Sequence, residues 1–504
     1  MAVEKIPGSF ETTVDLMATV VERYADEVAF VDVDNRLTFG QWDRAAAGVA
    51  TTMGDLGVRP GDVVCLYAPS STVYPICYQA AMRLGAITSG INTRLGPGEV
   101  ESIFARTQPR LVVCDDPDAI PAPPPPGAGI LRRADLAAAA AADPRARRAP
   151  IGPSTTVAIV WTSGTTGQPK GAMFDHANLA AMAAGSGPLS RPGDHRLSPL
   201  PFAHVGYMTR MWDELVHVIT TVIVPAPWKA GEALRLIEAE EVTVGQGVPS
   251  QWSLMLAHPD FERTDVSTLR LAATGGASVP PELVREMRRR LGCPVIVRYT
   301  STEACVSTGS DPSDPDEVII NTVGRAEQGV ELALVDDEMH PVPTGTVGTV
   351  RLRSAAVMRG YWKDPERSAE VLAPDGWLLT GDLGSVDDAG NLTLVGRRTE
   401  MYIRGGYNVY PSEVEAVLSA HPGVDRVAVV GVPDPVLGQL GHAFVVVAAG
   451  QPAPALEDLR AWCRLRLADY KSPDRVTLVE DLPLTAMSKI DKRGLLARAT
   501  GAER

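Results

Sequence analysis

The chain is organised around the stretch Trp161-Thr162-Ser163-Gly164-Thr165-Thr166-Gly167-Gln168-Pro169-Lys170-Gly171. The apolar run 157–160 precedes it and the apolar run 172–174 follows it. Each run is short and apolar, which is typical of a β-strand. We therefore predict a loop that joins two strands.

The composition of this loop indicates a phosphate-binding site. Glycines let backbone N–H groups approach a polyanion, hydroxyl groups donate further hydrogen bonds, and a lysine adds a point charge. The loop is not a Walker A motif, because it has no Gly-Lys-Ser/Thr sequence and no helix follows it directly.

Length and composition limit the class of protein. A chain of 504 residues is too long for one ordinary core, so two or more domains are expected. With 45% hydrophobic and 21% charged residues it has the composition of a globular enzyme. A formal net charge of −14 argues against a nucleic-acid-binding or anionic-membrane surface, but leaves room for a small anion in a local basic pocket.

The six cysteines form no C-x-x-C pair and no Cys/His cluster with metal-ligand spacing. We interpret them as buried free thiols in a reducing compartment. Residues 1–10 contain no apolar signal core, and no uninterrupted apolar segment is long enough to span a bilayer. The sequence thus predicts a cytoplasmic protein without a membrane span.

Strand and helix patterns alternate over residues 28–115 and again after the loop, which predicts parallel sheets covered by helices. Residues 117–153, rich in proline and alanine, are interpreted as an exposed connection. Strands dominate 330–396. A small domain is expected after Gly396, with a helix begun by a Ser412/Glu415 capping box, a last strand at 476–479 and a polar tail.

Four further clusters contain candidate functional residues: 199–204 with His204, 274–277 with 298–303, 377–382 with Asp382, and 396–411 with Arg397. Lys489 lies beyond them. Each has a structural alternative, because a lone histidine is often structural, Thr-Gly-Asp is a common turn, and an isolated Glu303 or Lys489 is usually a solvated charge. Their joint occurrence in this order favours function.

With these motifs the chain resembles the adenylate-forming superfamily, and within it the AMP-forming acyl-CoA synthetases, over nearly its whole length. Two motifs support this resemblance: residues 162–171, and the pattern Gly396-Arg397 followed by Gly406-x-Asn408-Val409-x-Pro411-x-Glu413. The resemblance implies a large α/β domain (1–399) with parallel-rich sheets and a small β-barrel-like part. It also implies a small mobile α+β domain (400–504).

The resemblance also implies roles in binding ATP, Mg²⁺ and CoA. The loop residues Thr162, Ser163, Gly164, Thr165, Thr166, Gly167 and Lys170 would hold the β- and γ-phosphates. The adenine would lie against Gly275, Gly276, Ala277 and the ring of Tyr299. Thr302 would contact the α-phosphate, Glu303 would hold Mg²⁺, and Asp382 with Arg397 would bind the ribose. Lys489 would bridge the carboxylate and the α-phosphate, and His204 would stand where the acyl pocket meets the thiol channel.

The implied reaction has two halves. A carboxylate attacks the α-phosphorus of ATP and expels pyrophosphate, and a thiol then takes the acyl group. Rotation of the C-terminal domain about a hinge near Glu400 would exchange Lys489 for Gly405 and Gly406, which line the CoA channel.

The acid is only broadly defined by the sequence. The expected pocket residues are Phe202, His204, Tyr207, Met208, Trp252, Thr300 and Ser301, with core packing as the alternative for some of them. No cation is placed to meet a second carboxylate, so we predict an aliphatic or aromatic monocarboxylic acid of small or medium size. Thr300 and Ser488 stand where the family usually has glycine, and Glu400 where it usually has aspartate.

Three alternatives remain at this stage. In the first, the enzyme would transfer its acid to a carrier-protein phosphopantetheine or to an amine. In the second, it would adenylate an atypical acid such as nitrite. A catalytically silent nucleotide-binding protein is the third, and the joint presence of Lys170, Glu303, Asp382, Arg397 and Lys489 argues against it. A homodimer is left open.

Overall fold

The computed structural model describes residues 3–33, 35–142, 149–162, 169–485 and 490–501. In chain order its strands are β1 Val28–Asp32, β2 Asn35–Thr38, β3 Val63–Tyr67, β4 Ile87–Gly90, β5 Leu111–Cys114, β6 Gly129–Arg132, β7 Thr156–Thr162, β8 Lys170–Asp175, β9 His195–Ser198, β10 Thr220–Ile223, β11 Val244–Gly247, β12 Leu271–Gly275, β13 Val295–Tyr299, β14 Thr308–Gly309, β15 Arg325–Ala326, β16 Val330–Val335, β17 Gly348–Ser354, β18 Leu378–Val386, β19 Leu392–Arg397, β20 Tyr402–Arg404, β21 Tyr407–Val409, β22 Val424–Asp434, β23 Gly438–Val447 and β24 Arg475–Leu478.

The α-helices are α1 Thr13–Tyr24, α2 Phe39–Asp55, α3 Val73–Arg83, α4 Pro97–Thr107, α5 Leu136–Ala140, α6 His176–Ala184, α7 Val205–Met208, α8 Met211–Val216, α9 Ala230–Ala239, α10 Pro249–Leu256, α11 Pro281–Leu291, α12 Asp316–Asn321, α13 Pro365–Val371, α14 Pro411–Ser419, α15 Leu456–Arg464 and α16 Lys492–Thr500. No helix in the described parts of the chain combines the length and the apolar character needed to cross a bilayer.

Two parallel-rich sheets form the larger part of the fold. One has the order β15-β14-β13-β12-β11-β9-β10-β1-β2. Its six central strands, β13, β12, β11, β9, β10 and β1, run parallel, whereas β2, β14 and β15 pair antiparallel at its two edges. The other has the order β6-β5-β3-β4-β7-β8 and is parallel except for the β7–β8 pair. The predicted parallel sheets are confirmed, and so are the two strands predicted before and after the glycine-rich stretch, which are β7 and β8.

Residues of β3 show why these strands are apolar throughout. Val64 and Leu66 belong to the main core, whereas Val63 and Cys65 belong to a separate core on the opposite face. A strand buried on both faces needs apolar residues at every position. The main core also contains residues of α1, α2, α3, α6 and α8, so these helices pack between the two large sheets.

The remaining strands form two smaller sheets. Strands β16, β17, β18 and β19 make an antiparallel sheet, as the strand-rich segment 330–396 predicted. Strands β20 to β24 make a C-terminal sheet with a core on each face. The domain boundary at 399/400 stays a prediction.

Three local predictions differ from the structure. Residues 117–153 are not only a connection, because β6 extends the six-stranded sheet and α5 packs on α2. The polar tail contains α16, whose Leu495 is buried in the C-terminal core. The prediction of a capping box at Ser412 and Glu415 is wrong. Tyr410 is the N-cap of α14, and the Ser412 hydroxyl donates to the Val395 carbonyl.

All six cysteines are free and buried, as predicted. Burial raises the pKa of the thiols of Cys65, Cys77 and Cys305 to about 12. These thiols are therefore protonated at neutral pH and are poor nucleophiles.

Gly324 offers a test of how tightly the edge of the nine-stranded sheet is packed. Its φ is +71°, and a Cβ at this position would lie 2.0 Å from the backbone of Gly309. We expect Gly324→Ala to lower the free energy of unfolding by at least about 3 kcal/mol, because left-handed backbone strain and overpacking add. The measurement is the urea midpoint followed by tryptophan fluorescence.

Gly329→Ala is the matched control. Gly329 has a similar φ of +79°, but no atom lies within 4 Å of the position that an alanine Cβ would take, so only the backbone strain of about 1–2 kcal/mol is expected. Equal midpoint shifts in the two variants would contradict the packing argument.

Candidate active site

Strands β9, β11, β12 and β13 are adjacent and parallel, so their carboxyl ends meet at one edge of the nine-stranded sheet. The clusters 199–204, 275–277 and 299–303 follow β9, β12 and β13. Ligands of open parallel sheets bind at this edge. The fold thus brings together clusters that lie up to about a hundred residues apart in the sequence.

The predicted phosphate loop starts and ends on a β-ladder. Thr162, at the end of β7, is paired directly with Lys170, at the start of β8. The hydroxyl of Thr162 is buried and has no hydrogen-bond partner among the described residues. Ser163, Gly164, Thr165, Thr166 and Gly167 lie outside the described residues. An orphaned hydroxyl at the loop entrance fits a site that gains a polar ligand.

Asp382 connects two sheets. The hydroxyl of Tyr299 at the end of β13 donates to its Oδ2 at 2.5 Å, and the Nε of Arg397 on β19 lies 2.9 Å from its Oδ1. Burial, followed by the charge of Asp382, raises the pKa of the Tyr299 phenol well above its usual range. The phenol therefore stays protonated, and the carboxylate keeps a permanent donor.

The Gly275-Gly276-Ala277 segment has room only for glycine at its first position. A Cβ on Gly275 would lie 2.2 Å from the carbonyl oxygen of Arg298 on the next strand. Gly276 has a φ of +76°, and Gly276 and Ala277 are exposed. The backbone of this segment is thus open to a flat ligand beside Tyr299.

Glu303 and Lys170 are brought to the same tyrosine, Tyr361. Its hydroxyl donates to Oε1 of Glu303 at 2.8 Å, and Nζ of Lys170 lies 4.7 Å from its ring centroid. Thr302 is half-buried beside Glu303. Tyr361 was not predicted from the sequence, because it lies 58 residues from Glu303 and no local pattern marks it.

The described residues contain no cluster of three or more His, Cys, Asp or Glu side chains that could hold a metal ion. A lone carboxylate beside a phosphate site nevertheless fits Mg²⁺, which proteins commonly bind through one or two carboxylates and the phosphates of a substrate. Glu303, whose carboxylate lies next to Tyr361 and so close to Lys170, could hold such an ion.

Several residues expected to line the acyl pocket are buried aromatic side chains that pack together in the main core. Phe202 and Tyr207 are stacked with centroids 3.6 Å apart, and Tyr74 of α3 packs edge-on against both. Met208 and Tyr74 also approach Gly90, where a Cβ would lie 2.7 Å from Sδ and 2.4 Å from the hydroxyl oxygen. Tyr74 was missed by the sequence analysis, since only tertiary contacts bring α3 here.

Other predicted pocket residues have identifiable surroundings. His204 is the N-cap of α7, and its Nδ1 accepts from the Gly206 amide at 3.2 Å. Trp252 lies in the core behind β11 and β12, and its indole donates to the Ala273 carbonyl, so its role as a pocket wall stays a prediction. Thr300 is half-buried, and Ser301 accepts from the Ala304 amide.

The C-terminal residues lie on the small sheet. Gly405 and Gly406 have φ values of +58° and +86° in the turn between β20 and β21. Lys489 and Ser488 lie outside the described residues. Lys492 of α16 forms ion pairs with Glu400 at 2.8 Å and with Glu415 at 2.9 Å. This contact connects the helix after Lys489 to the expected hinge.

Taken together, the fold and the site define an adenylate-forming enzyme. The chain belongs to the AMP-binding enzyme family: residues 17–362 match the AMP-binding enzyme model, and residues 413–489 match the AMP-binding enzyme C-terminal domain. The predicted superfamily and its acyl-CoA synthetase branch are confirmed, and the protein is an enzyme of the ligase class.

Relatives and solved structures span nearly the same length. A feruloyl-CoA synthase from Amycolatopsis sp is 35% identical over 90% of this chain and 92% of its own. The structure of the anthranilate CoA ligase AuaEII with anthranoyl-AMP has a TM-score of 0.89 at 27% identity, covering 99% of both chains. An amide bond synthetase from Marinactinospora thermotolerans has a TM-score of 0.85 at 29% identity, covering 97% of this chain and 99% of its own.

The Asp382 contacts lead to a prediction about nucleotide affinity. Asp382→Asn keeps the shape of the side chain but removes the charge that faces Arg397. We expect ATP to bind about 10- to 100-fold more weakly, because a hydrogen bond to a charged group contributes about 1.5–3 kcal/mol. Isothermal titration calorimetry with ATP measures the change.

Asp337→Asn is the control, since Asp337 forms an exposed ion pair with Arg398 at 3.1 Å. Exposed pairs contribute little, so its ATP affinity should match the wild type. An unchanged affinity in Asp382→Asn would contradict the assignment.

Proposed function

We propose that this enzyme activates a compact monocarboxylic acid, aliphatic or aromatic, as an acyl-adenylate and then transfers the acyl group to the thiol of CoA. The observation that carries the proposal is a pair of contacts: Tyr299 at the end of β13 donates to Asp382, and Tyr361 contacts both Glu303 and Lys170. The family membership of the chain supports the same reaction class.

The groups of the proposed nucleotide site still have hydrogen-bonding capacity that the protein itself does not use. An ionised carboxylate has about four acceptor positions, so Asp382 can still accept from the ribose hydroxyls after bonding Tyr299 and Arg397. The adenine would lie between the Tyr299 ring and the 275–277 backbone, and Thr302 would donate to the α-phosphate. Glu303 would hold Mg²⁺, which when bound neutralises negative charge on the phosphates.

The first half-reaction joins two anions. An oxygen of the acid forms a bond to the α-phosphorus as the bond from that phosphorus to the β-phosphate oxygen breaks, and pyrophosphate leaves with its electron pair. The nucleophile is already ionised, so no general base is required. Cations and N–H donors that are fixed in advance reduce the repulsion, which is the main task in phosphoryl transfer. Lys170 and the proposed donor Lys489 would supply this charge.

In the second half-reaction the thiolate of CoA attacks the acyl carbonyl, and AMP leaves. The proposed route of the pantetheine arm passes Gly405 and Gly406, where the absence of side chains leaves room for it. This requires the C-terminal domain to turn about Glu400 and withdraw Lys489. A few residues at an element end are sufficient for such a rotation.

The size of the acid follows from the pocket wall. Phe202 and Tyr207 are in stacking contact, and Tyr74 closes the space behind them, so no gap remains between the rings for a long chain. The described residues of this group, Phe202, Tyr207, Met208 and Tyr74, are apolar or aromatic, and none of them is itself a cation. Both features support a compact acid with one carboxylate, and a flat aromatic acid would gain from ring packing.

A second acceptor is worth testing because one structural neighbour is an amide bond synthetase. The first half-reaction would be unchanged, and an amine would replace the thiol. Transfer to a carrier protein and activation of nitrite use the same first step.

The decisive experiment measures pyrophosphate release and AMP formation with a panel of acids: acetate, butyrate, octanoate, benzoate, hydroxycinnamates and nitrite. Each acid is tested alone, with CoA, with a phosphopantetheine-loaded carrier protein, and with an amine. We expect a compact acid with CoA to give the fastest turnover and an acyl-CoA product. Turnover with the amine but no thioester with CoA would replace the ligase assignment, and no pyrophosphate with any acid would refute adenylation.

Tyr207→Ala tests the pocket wall. Removing the ring opens space behind Phe202, so the ratio of kcat/KM for octanoate to kcat/KM for butyrate should rise at least about 10-fold, since each buried methylene is discriminated by roughly 10-fold or more. Phe261→Ala is the control, because Phe261 is a buried aromatic residue of a different core. The proposal for the pocket fails if both variants keep the wild-type ratio.

A further inference from the structure

Residues 358–362, here called the strap, run beside β8 and join it to Glu303. The amide of Met358 donates to the carbonyl of Glu303 at 2.9 Å. The amide of Met173 donates to the carbonyl of Gly360 at 2.9 Å, and that of Trp362 to the carbonyl of Gly171 at 2.7 Å. The strap is thus fixed to the strand that begins with Lys170 and to the segment that contains Glu303.

Tyr361 lies on the strap with its side chain buried at 3% exposure. The hydroxyl and the ring face make different contacts. The hydroxyl donates to Oε1 of Glu303, and the ring face meets the ammonium group of Lys170. One side chain therefore contacts both an anion and a cation of the site.

The chemistry of each contact suits its partner. The hydroxyl of Tyr361 is a neutral donor, and Oε1 of Glu303 accepts its hydrogen bond at 2.8 Å. A neutral donor orients Glu303 but leaves its negative charge in place for a divalent cation. The negative face of an aromatic ring attracts an ammonium group without neutralising it.

Neither charge is paired with an opposite charge by the described parts of the chain. No carboxylate there lies within 4.0 Å of Nζ of Lys170, and no Lys or Arg nitrogen lies within that distance of Glu303. Lys170 and Glu303 have opposite signs, and a direct ion pair between them would occupy both. Tyr361 contacts both, with its hydroxyl bonded to Glu303 and its ring face against Lys170.

We propose that Tyr361 is a positioning residue of the adenylation site, which holds Glu303 ready for the divalent cation and Lys170 ready for the phosphates while keeping the two charges apart. This inference rests on the proposed function, because it takes from there the roles of Glu303 and Lys170. It adds a group that acts through both of them and that touches no reacting atom.

Two variants separate the two contacts. Tyr361→Phe removes the hydroxyl and keeps the ring, whereas Tyr361→Leu removes both. The affinity for ATP is measured by isothermal titration calorimetry in EDTA and in excess Mg²⁺, and the ratio of the two affinities is the gain due to the metal. Binding is measured without acid or CoA, so the readout does not depend on turnover.

We expect Tyr361→Phe to bind metal-free ATP as the wild type does, but to lose about 10-fold of the gain due to Mg²⁺. Tyr361→Leu should lose the same gain and should also bind metal-free ATP several-fold more weakly, because Lys170 has lost the ring face. Tyr24→Phe, which removes a hydroxyl bonded to the Glu4 amide far from the site, should match the wild type in both measurements.

A double-mutant cycle tests whether the hydroxyl acts through Glu303. In the Glu303→Gln background, Tyr361→Phe should cause no further loss of the gain due to Mg²⁺. A Tyr361→Phe variant with the full gain, or an additive loss in the double variant, would overturn the inference while leaving the proposed function intact. A wild type that shows no gain due to Mg²⁺ would instead refute the role of Glu303, and the inference with it.

Discussion

Asp382 is a buried carboxylate that is held from two sheets, by a hydrogen bond from one and by an ion pair from the other. Tyr299 reaches it from the end of β13, and Arg397 reaches it from the neighbouring strand β19 of the four-stranded sheet. A buried charge is tolerated only where donors surround it, so the two sheets must keep the relative position that supplies both donors. The geometry of the proposed nucleotide site depends on this requirement.

The charges of the site differ from those of the molecule. The chain has a net charge of −14, yet Lys170 and Arg397 are concentrated where the phosphates and ribose are expected to bind. Fixed cations of this kind attract an anion that binds beside them even though the rest of the surface is acidic, because solvent and salt screen the distant negative charges. An acidic protein can therefore contain an anion site, as the sequence analysis left open.

The sequence predicted the features that depend on local pattern. The strands on each side of the phosphate loop follow from two short apolar runs, and the parallel sheets follow from strands such as β3 that are apolar at every position. The glycines at 275 and 276 could be singled out as well. The roles of Ser163 to Gly167 and of Lys489 stay predictions.

Features that depend on tertiary contacts could not be predicted in this way. Ser412 and Glu415 have the spacing of a capping box, but they bond the Val395 carbonyl and the Val429 amide, which lie outside the helix. Tyr361 and Tyr74 are ordinary aromatic residues in the sequence. Tyr361 gains its importance from its contact with Glu303, and Tyr74 from its contact with Tyr207, and both partners lie far away along the chain. Helix α16 has no strong apolar stripe in the sequence, since only Leu495 and the small Ala499 pack it against the C-terminal core.

The close approach at Gly90 has a consequence for how the substrate range of this protein could diverge. Even one added methyl group there would collide with the hydroxyl of Tyr74 on α3 and the sulfur of Met208 on α7, which also contact each other. In the proposed pocket, a lineage could gain space through a single smaller residue at one of the rings, whereas a larger residue at position 90 would require replacements at both Tyr74 and Met208 as well. Under that proposal, single substitutions here lead more readily towards bulkier acids than towards smaller ones.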